Sequence, residues 1–142
     1  MLEGNQAAMF AERQKDKLPG ELAIEWETVE TGYAKGRFTV IERHMAPNGF
    51  MHAASVIALV DSAAGYGCVA SLPEGASGFT TIEIKCNYLG SAKEGEQVSC
   101  AARLVHGGRM TQVWDAEATN DATGKLIAVF RCTQMVLYPR EK

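Results

Sequence analysis

The sequence predicts an α+β fold in which an antiparallel sheet of about six strands wraps one long central α-helix. Three observations carry that expectation. The stretch from His52 to Ser71 is Ala-rich and apolar on nearly every side. Strand-like alternation dominates from Gly78 onward. The chain has 142 residues, which suits one core rather than two ordinary ones. A helix apolar nearly all round must be buried nearly all round, and a sheet curled round it does that.

The elements follow in chain order. Residues 4–17 read as a short polar helix with Met9 and Phe10 as its apolar pair. It should stop before Leu18-Pro19-Gly20, which breaks helical geometry. This N-terminal helical segment occupies 1–19, and the core runs from about 20 to 137 of one domain spanning 1–142. Leu22, Ile24 and Trp26 alternate with Glu21, Glu25 and Glu27, the period of a half-buried strand. Thr31-Gly32 reads as a turn, and Phe38 and Val40 mark the returning strand. After the helix, Ile82, Ile84, Cys86 and Tyr88 share one strand face, opposite Thr81, Glu83, Lys85 and Asn87. Val98, Cys100, Ala102 and Leu104 line the next strand. Gly107-Gly108 suits a tight hairpin because both residues tolerate positive φ. Met110, Trp114, Ala116 and Ala118 continue on the next strand. Asn120–Gly124 is a turn, and residues 125–137 form a long last strand.

Composition excludes several classes. Fourteen Lys and Arg against 17 Asp and Glu leave a formal charge of −3, so nothing global attracts nucleic acid or an anionic membrane. No apolar run is expected to reach the ~18 residues of a membrane span. The start, Met1-Leu2-Glu3-Gly4-Asn5, lacks a basic region followed by an apolar core, so no secretory signal is expected. Cys68, Cys86, Cys100 and Cys132 contain no CxxC pair and stand apart from His44, His52 and His106, so no metal site is expected. They read as reduced thiols of a cytoplasmic protein. His44 and His106 read as surface or hairpin residues. Trp26, Trp114 and Tyr88 read as core or interface.

Two features could carry chemistry. Asp61 is the only charged side chain in the apolar helix, and an isolated carboxylate in such surroundings is costly. It either caps or pairs locally, or it does chemistry. The second feature is Pro47-Asn48-Gly49-Phe50-Met51-His52-Ala53-Ala54, a turn delivering the chain to the helix start. The first N–H groups there lack intrahelical acceptors and sit at the positive end of the dipole. They could hold an oxyanion. Ala53 and Asp61, eight residues apart, are separated by about 12 Å along the axis and about 80° around it. One carbonyl could meet both only across two antiparallel helices of a two-fold homodimer. Ala54, Ala58, Ser62 and Gly65 would permit that close approach.

Asn48-Gly49, His52-Ala53-Ala54 and, nine residues after the His, Asp61-Ser62-Ala63-Ala64-Gly65-Tyr66 resemble the signature of hotdog-fold acyl-CoA thioesterases. The branch is the PaaI-like one that includes 4-hydroxybenzoyl-CoA thioesterases. The likeness spans roughly 20–137, including Thr80–Gly90 after the helix. It implies hydrolysis of an acyl-CoA thioester, with aryl or medium-chain acyl groups favoured. It also implies no metal, no cofactor beyond the substrate's own CoA, and a homodimer or dimer of dimers.

By position, Asp61 matches the family's catalytic carboxylate, and Ala53 matches the Gly whose N–H polarises the thioester carbonyl. His52 matches a positioning His. Two departures stand out. His-Gly-Gly is here His52-Ala53-Ala54, and the Asn or Gln often found six residues before the His is Ala46, for which Asn48 beside Gly49 could substitute. CoA phosphates call for basic residues, and Arg109, Lys93 and Arg140 are the candidates. Two other readings share the scaffold: a non-catalytic acyl-CoA-binding or regulatory module, and a hydratase or dehydratase using a His with an acid.

Overall fold

Helix α3 runs Ala53–Ala70, one residue inside the predicted span at each end, in a computed structural model that describes residues 2–142. Met1, the first residue of the expected N-terminal segment, lies outside the described residues. Val56, Leu59, Val60, Ala63, Ala64, Cys68 and Ala70 of α3 are at most 1% exposed. The helix lies directly on the sheet. A Cβ added to Gly67 would stand 2.5 Å from the Trp114 ring, and one at Gly65 would stand 3.1 Å from Phe79. Gly65 therefore serves contact with the chain's own strand as well as the small-residue stripe in which the sequence placed it.

The sheet has six antiparallel strands, β1 Glu25–Glu30, β2 Tyr33–Thr39, β3 Gly78–Tyr88, β4 Gln97–Gly107, β5 Thr111–Asn120 and β6 Lys125–Leu137. Their spatial order is β1-β2-β4-β5-β6-β3. Consecutive hairpins join β4, β5 and β6, while α3 carries the chain from the β2 side to the far edge. Phe38, Val98, Ala102, Trp114, Ile127 and Phe130 face the helix and form the core with it. Strand β3 is left at an edge, paired only with β6.

Several expectations are corrected here. The N-terminal helix α1 is shorter, Ala7–Arg13, and Leu18–Glu21 forms a helical turn, α2, rather than a break. Pro19 stands in its first turn, where its missing N–H costs nothing. β1 begins only after that turn. A bulge between Trp26 and Thr28 then moves the buried face, so that Val29 is buried. A second bulge, between Thr81 and Glu83, puts Thr81 opposite buried Gln134 and Ile84 opposite buried Cys132. Thr81 thus shares the inner face with Ile84, Cys86 and Tyr88, and Ile82 is the extra residue.

The β4–β5 hairpin turns at Arg109-Met110, closed by the Gly108 N–H to Thr111 O bond at 2.9 Å. Neither Gly107 nor Gly108 adopts positive φ. Helix α3 does reach 18 residues with one charge, the length and composition of a span. It is a core helix here because strands cover it.

His44 is also corrected, from surface to core. It is 0% exposed, in a 3₁₀ turn at Glu42–His44. Its ring stacks on Phe38 at 4.1 Å. Nδ1 accepts the Ile41 N–H at 3.0 Å, and Nε2–H donates to Leu22 O at 2.6 Å. His106, by contrast, is exposed at the hairpin as expected.

Burial holds the His44 pKa below the usual 6.5, aided by neighbouring Arg43 and opposed by the Leu22 bond. The unfolded chain therefore takes up this proton first. The stability is fully present above about pH 6.5 and is lost as pH falls from there toward the depressed folded value. Thermal unfolding should show Tm falling between pH 7 and 5, and His44→Gln should flatten that slope while lowering Tm at pH 7.

Candidate active site

The start of α3 is anchored from three sides. The His52 N–H and the Ser55 hydroxyl both donate to the His44 carbonyl, at 2.8 and 2.9 Å. The His52 side chain caps the helix, its Nδ1 accepting the Ala54 N–H at 2.9 Å. That bond fixes the neutral tautomer, with the proton on Nε2. The Ser55 N–H goes back to the His52 carbonyl at 2.9 Å. From the sheet, the Tyr88 hydroxyl donates to the Ala53 carbonyl at 3.1 Å. Among the described residues no acceptor takes the Ala53 N–H. It is an open donor at the positive end of an 18-residue helix.

The loop before it is a closed unit. The Ala46 N–H reaches Phe50 O at 2.7 Å, and the Gly49 N–H reaches Ala46 O at 3.1 Å. Gly49 takes φ +87°, a conformation that a side chain would strain. The Asn48 Oδ1 accepts the Phe50 N–H at 3.2 Å. Asn48 therefore uses its oxygen to shape the turn, and its NH₂ remains toward solvent. Ala46 brings no polar side chain.

Asp61 lies two turns further along α3. Its Oδ1 is a buried polar atom with no hydrogen-bond partner. Burial alone pushes its carboxyl above the usual 3.8. It faces β6: the Cys132 thiol is pushed up to about 12, first by burial and next by the Asp61 charge. No ion pair involves Asp61 among the described residues, so the capping-or-pairing alternative finds no support in the structure. The cost of an unmet buried acceptor is about 1–3 kcal/mol.

A cleft of about 730 Å³ opens beside the Gly49–Phe50 loop, between Leu89–Glu94 and the β5–β6 hairpin. Phe50, Leu89 and Leu126 give it an apolar wall, and Lys93 and Lys125 stand in its lining. Of the three basic residues expected near a phosphate, only Lys93 lines this cleft. Arg109 sits at the opposite end of the sheet, where the Gln112 amide bonds Ser71 O beyond the end of α3. Its guanidinium lies 5.5 Å from the Tyr138 ring. Arg140 follows β6 at that same far end. Lys125 went unrecognised in the sequence, because nothing local distinguishes it from any turn lysine.

Among the described residues, α3 thus carries an open N–H at its start and, two turns along, a buried carboxylate oxygen without a hydrogen-bond partner. A family model described as the thioesterase superfamily matches residues 48–127. A 1,4-dihydroxy-2-naphthoyl-CoA hydrolase from Listeria monocytogenes is 34% identical over 120 residues, covering 84% of this chain and 95% of the relative. A Haemophilus influenzae thioesterase has the same fold, with TM-score 0.87 at 23% identity over 98% of this chain and 95% of that one. A Streptococcus mutans protein solved with acetyl-CoA bound matches with TM-score 0.74 at 25% identity, over 83% and 91% of the two chains. The chain belongs to the thioesterase superfamily and has its hotdog fold.

The cap is open to a direct test. His52→Ala should cost about 1 kcal/mol, read as a fall in Tm of roughly 3–6 °C with faster amide exchange at Ala54. His52→Asn, which keeps an acceptor, should recover most of the loss.

Proposed function

We propose that this protein hydrolyses an acyl-CoA thioester, at a site completed by a second copy of the chain. The observation that carries the reading is the pair of unmet groups on α3, the Ala53 N–H and the Asp61 carboxylate. The thioester oxygen rests on the Ala53 N–H, where the helix dipole stabilises the charge that develops on attack. His52 positions that turn through its cap, and the Asn48-Gly49 loop aims it. Asp61 of the other copy activates water as general base, or attacks to form a mixed anhydride that water then opens.

Two features support the second copy. The roughly 12 Å between Ala53 and Asp61 along one helix is too far for one carbonyl. Strand β3 also has an unpaired edge flanked by exposed Ile82, Ile84, Tyr88 and Leu89, and edges of this kind add strands. A homodimer, and a dimer of such dimers, follows. The cleft beside Phe50 takes part of the extended substrate, with Lys93 and Lys125 toward its phosphates. Arg109 and Arg140, at the far end of one copy, come to that region only from the other.

The naphthoyl substrate in the Listeria relative's name favours an aryl acyl group, with medium chains next. The reaction needs only water and the substrate's own CoA. Four unpaired cysteines, three of them buried, suit a cytoplasmic setting. A hydratase-type His is disfavoured, because His52 Nδ1 is committed to the helix cap.

Asp61→Asn separates the readings. Thiol release from benzoyl-, phenylacetyl- and decanoyl-CoA should fall at least 10³-fold, with the assembly unchanged by sedimentation. Turnover near wild type would remove the carboxylate from the mechanism, and a wild type that binds these thioesters without thiol release would make it a binding module. The acid limb of the wild-type pH–rate profile should lie above the ordinary carboxylate range.

Stability should move the other way. A carboxyl with a raised folded pKa stabilises the fold while protonated, and that contribution is lost as pH rises through the folded pKa. Asp61→Asn should therefore raise Tm at pH 7 by a few degrees.

A further inference from the structure

We propose that Tyr88 is a positioning residue for the reaction, its hydroxyl holding the Ala53 carbonyl so that the Ala53 N–H points at the substrate. The inference rests on the acyl-CoA reading above and deepens it.

Tyr88 is the last residue of β3, the edge strand, and is 43% exposed. Its hydroxyl nonetheless reaches across to α3 and donates to Ala53 O at 3.1 Å. The phenol is pushed up to about 12 by burial and by the adjacent Cys86 thiol. It is therefore a protonated donor throughout any working pH range.

The tether meets the helix where it is otherwise weakest. His52, Ala53 and Ala54 are all exposed, and first turns fray because their N–H groups lack helical acceptors. The other anchors, from His44 O, hold His52 and Ser55 on the loop side. From the sheet, Tyr88 holds the Ala53–Ala54 peptide, the unit next to the His52–Ala53 peptide that carries the open N–H, and so fixes the backbone of Ala53 between them. A donor has to sit within a few tenths of an ångström of where the oxyanion forms, and small misplacements cost large factors in rate. Tyr88 also neighbours Ile84 and Leu89 on the edge that a second copy would cover. Seating that copy and aiming the donor are thus linked through one side chain.

Tyr88→Phe removes the hydroxyl and keeps the ring. The substrate is whichever of benzoyl-, phenylacetyl- and decanoyl-CoA the wild type hydrolyses fastest. The expected result is a kcat about tenfold lower, KM within twofold, and Tm and sedimentation unchanged. Amide exchange should quicken at Ile57, whose N–H is the helical donor to Ala53 O. A kcat within twofold of wild type overturns the proposal. So does a kcat loss matched by a fall in Tm or by dissociation, which would make Tyr88 structural only. If the wild type itself releases no thiol from any of the three, the acyl-CoA reading fails and the positioning role falls with it. That outcome is distinct because it precedes any effect of the variant.

Discussion

The burial of α3 is the constraint from which the rest of the molecule follows. A helix built of Ala, Val, Ile, Leu and Gly has no face to offer to water, so the sheet has to curl round it. Close approach requires small residues at chosen positions. Gly67 exists because the Trp114 ring occupies the place of its side chain. Curling exhausts the strands, and β3 ends at an edge where only β6 pairs with it. Asp61 faces β6 with a buried oxygen that finds no hydrogen-bond partner among the described residues.

The same constraint governs the helix start. An apolar helix cannot supply its own polar caps, so neighbours supply them. His44 O takes the His52 N–H and the Ser55 hydroxyl, His52 takes the Ala54 N–H, and Tyr88 holds the Ala53 carbonyl. One donor, the Ala53 N–H, is left over. A turn held on several sides around one open donor is preorganised, and preorganisation is what electrostatic catalysis uses. The unmet Asp61 oxygen and the open Ala53 N–H thus arise from one packing solution.

Much of this was legible in the residues. The helix span was predicted to within one residue at each end, and β6 came out at 125–137 as expected, because both depend on long periodic runs. Asp61 stood out as the lone charge in an apolar stretch. The bulges at Trp26–Thr28 and Thr81–Glu83 were not legible, since one extra residue leaves alternation intact on either side and only the partner strand reveals the slip. His44 was misplaced because two of its partners, Leu22 and Phe38, come from other segments. Lys125 reaches the cleft through the β5–β6 turn, and Arg109 leaves it through the β4–β5 turn, which no local spacing records.

The sequence by itself determined the wrapped helix and the strand run after it, and it singled out Asp61 and the start of α3 as the places to look for chemistry. Hydrophobic period and composition act locally, and a helix start or a lone acid is visible in a short window. Tertiary structure alone decided which strand became the edge, that Asp61 found no partner, and that Tyr88 met Ala53 from 35 residues away. These depend on register and crossing geometry, where groups distant along the chain become neighbours only after the sheet has closed round its helix.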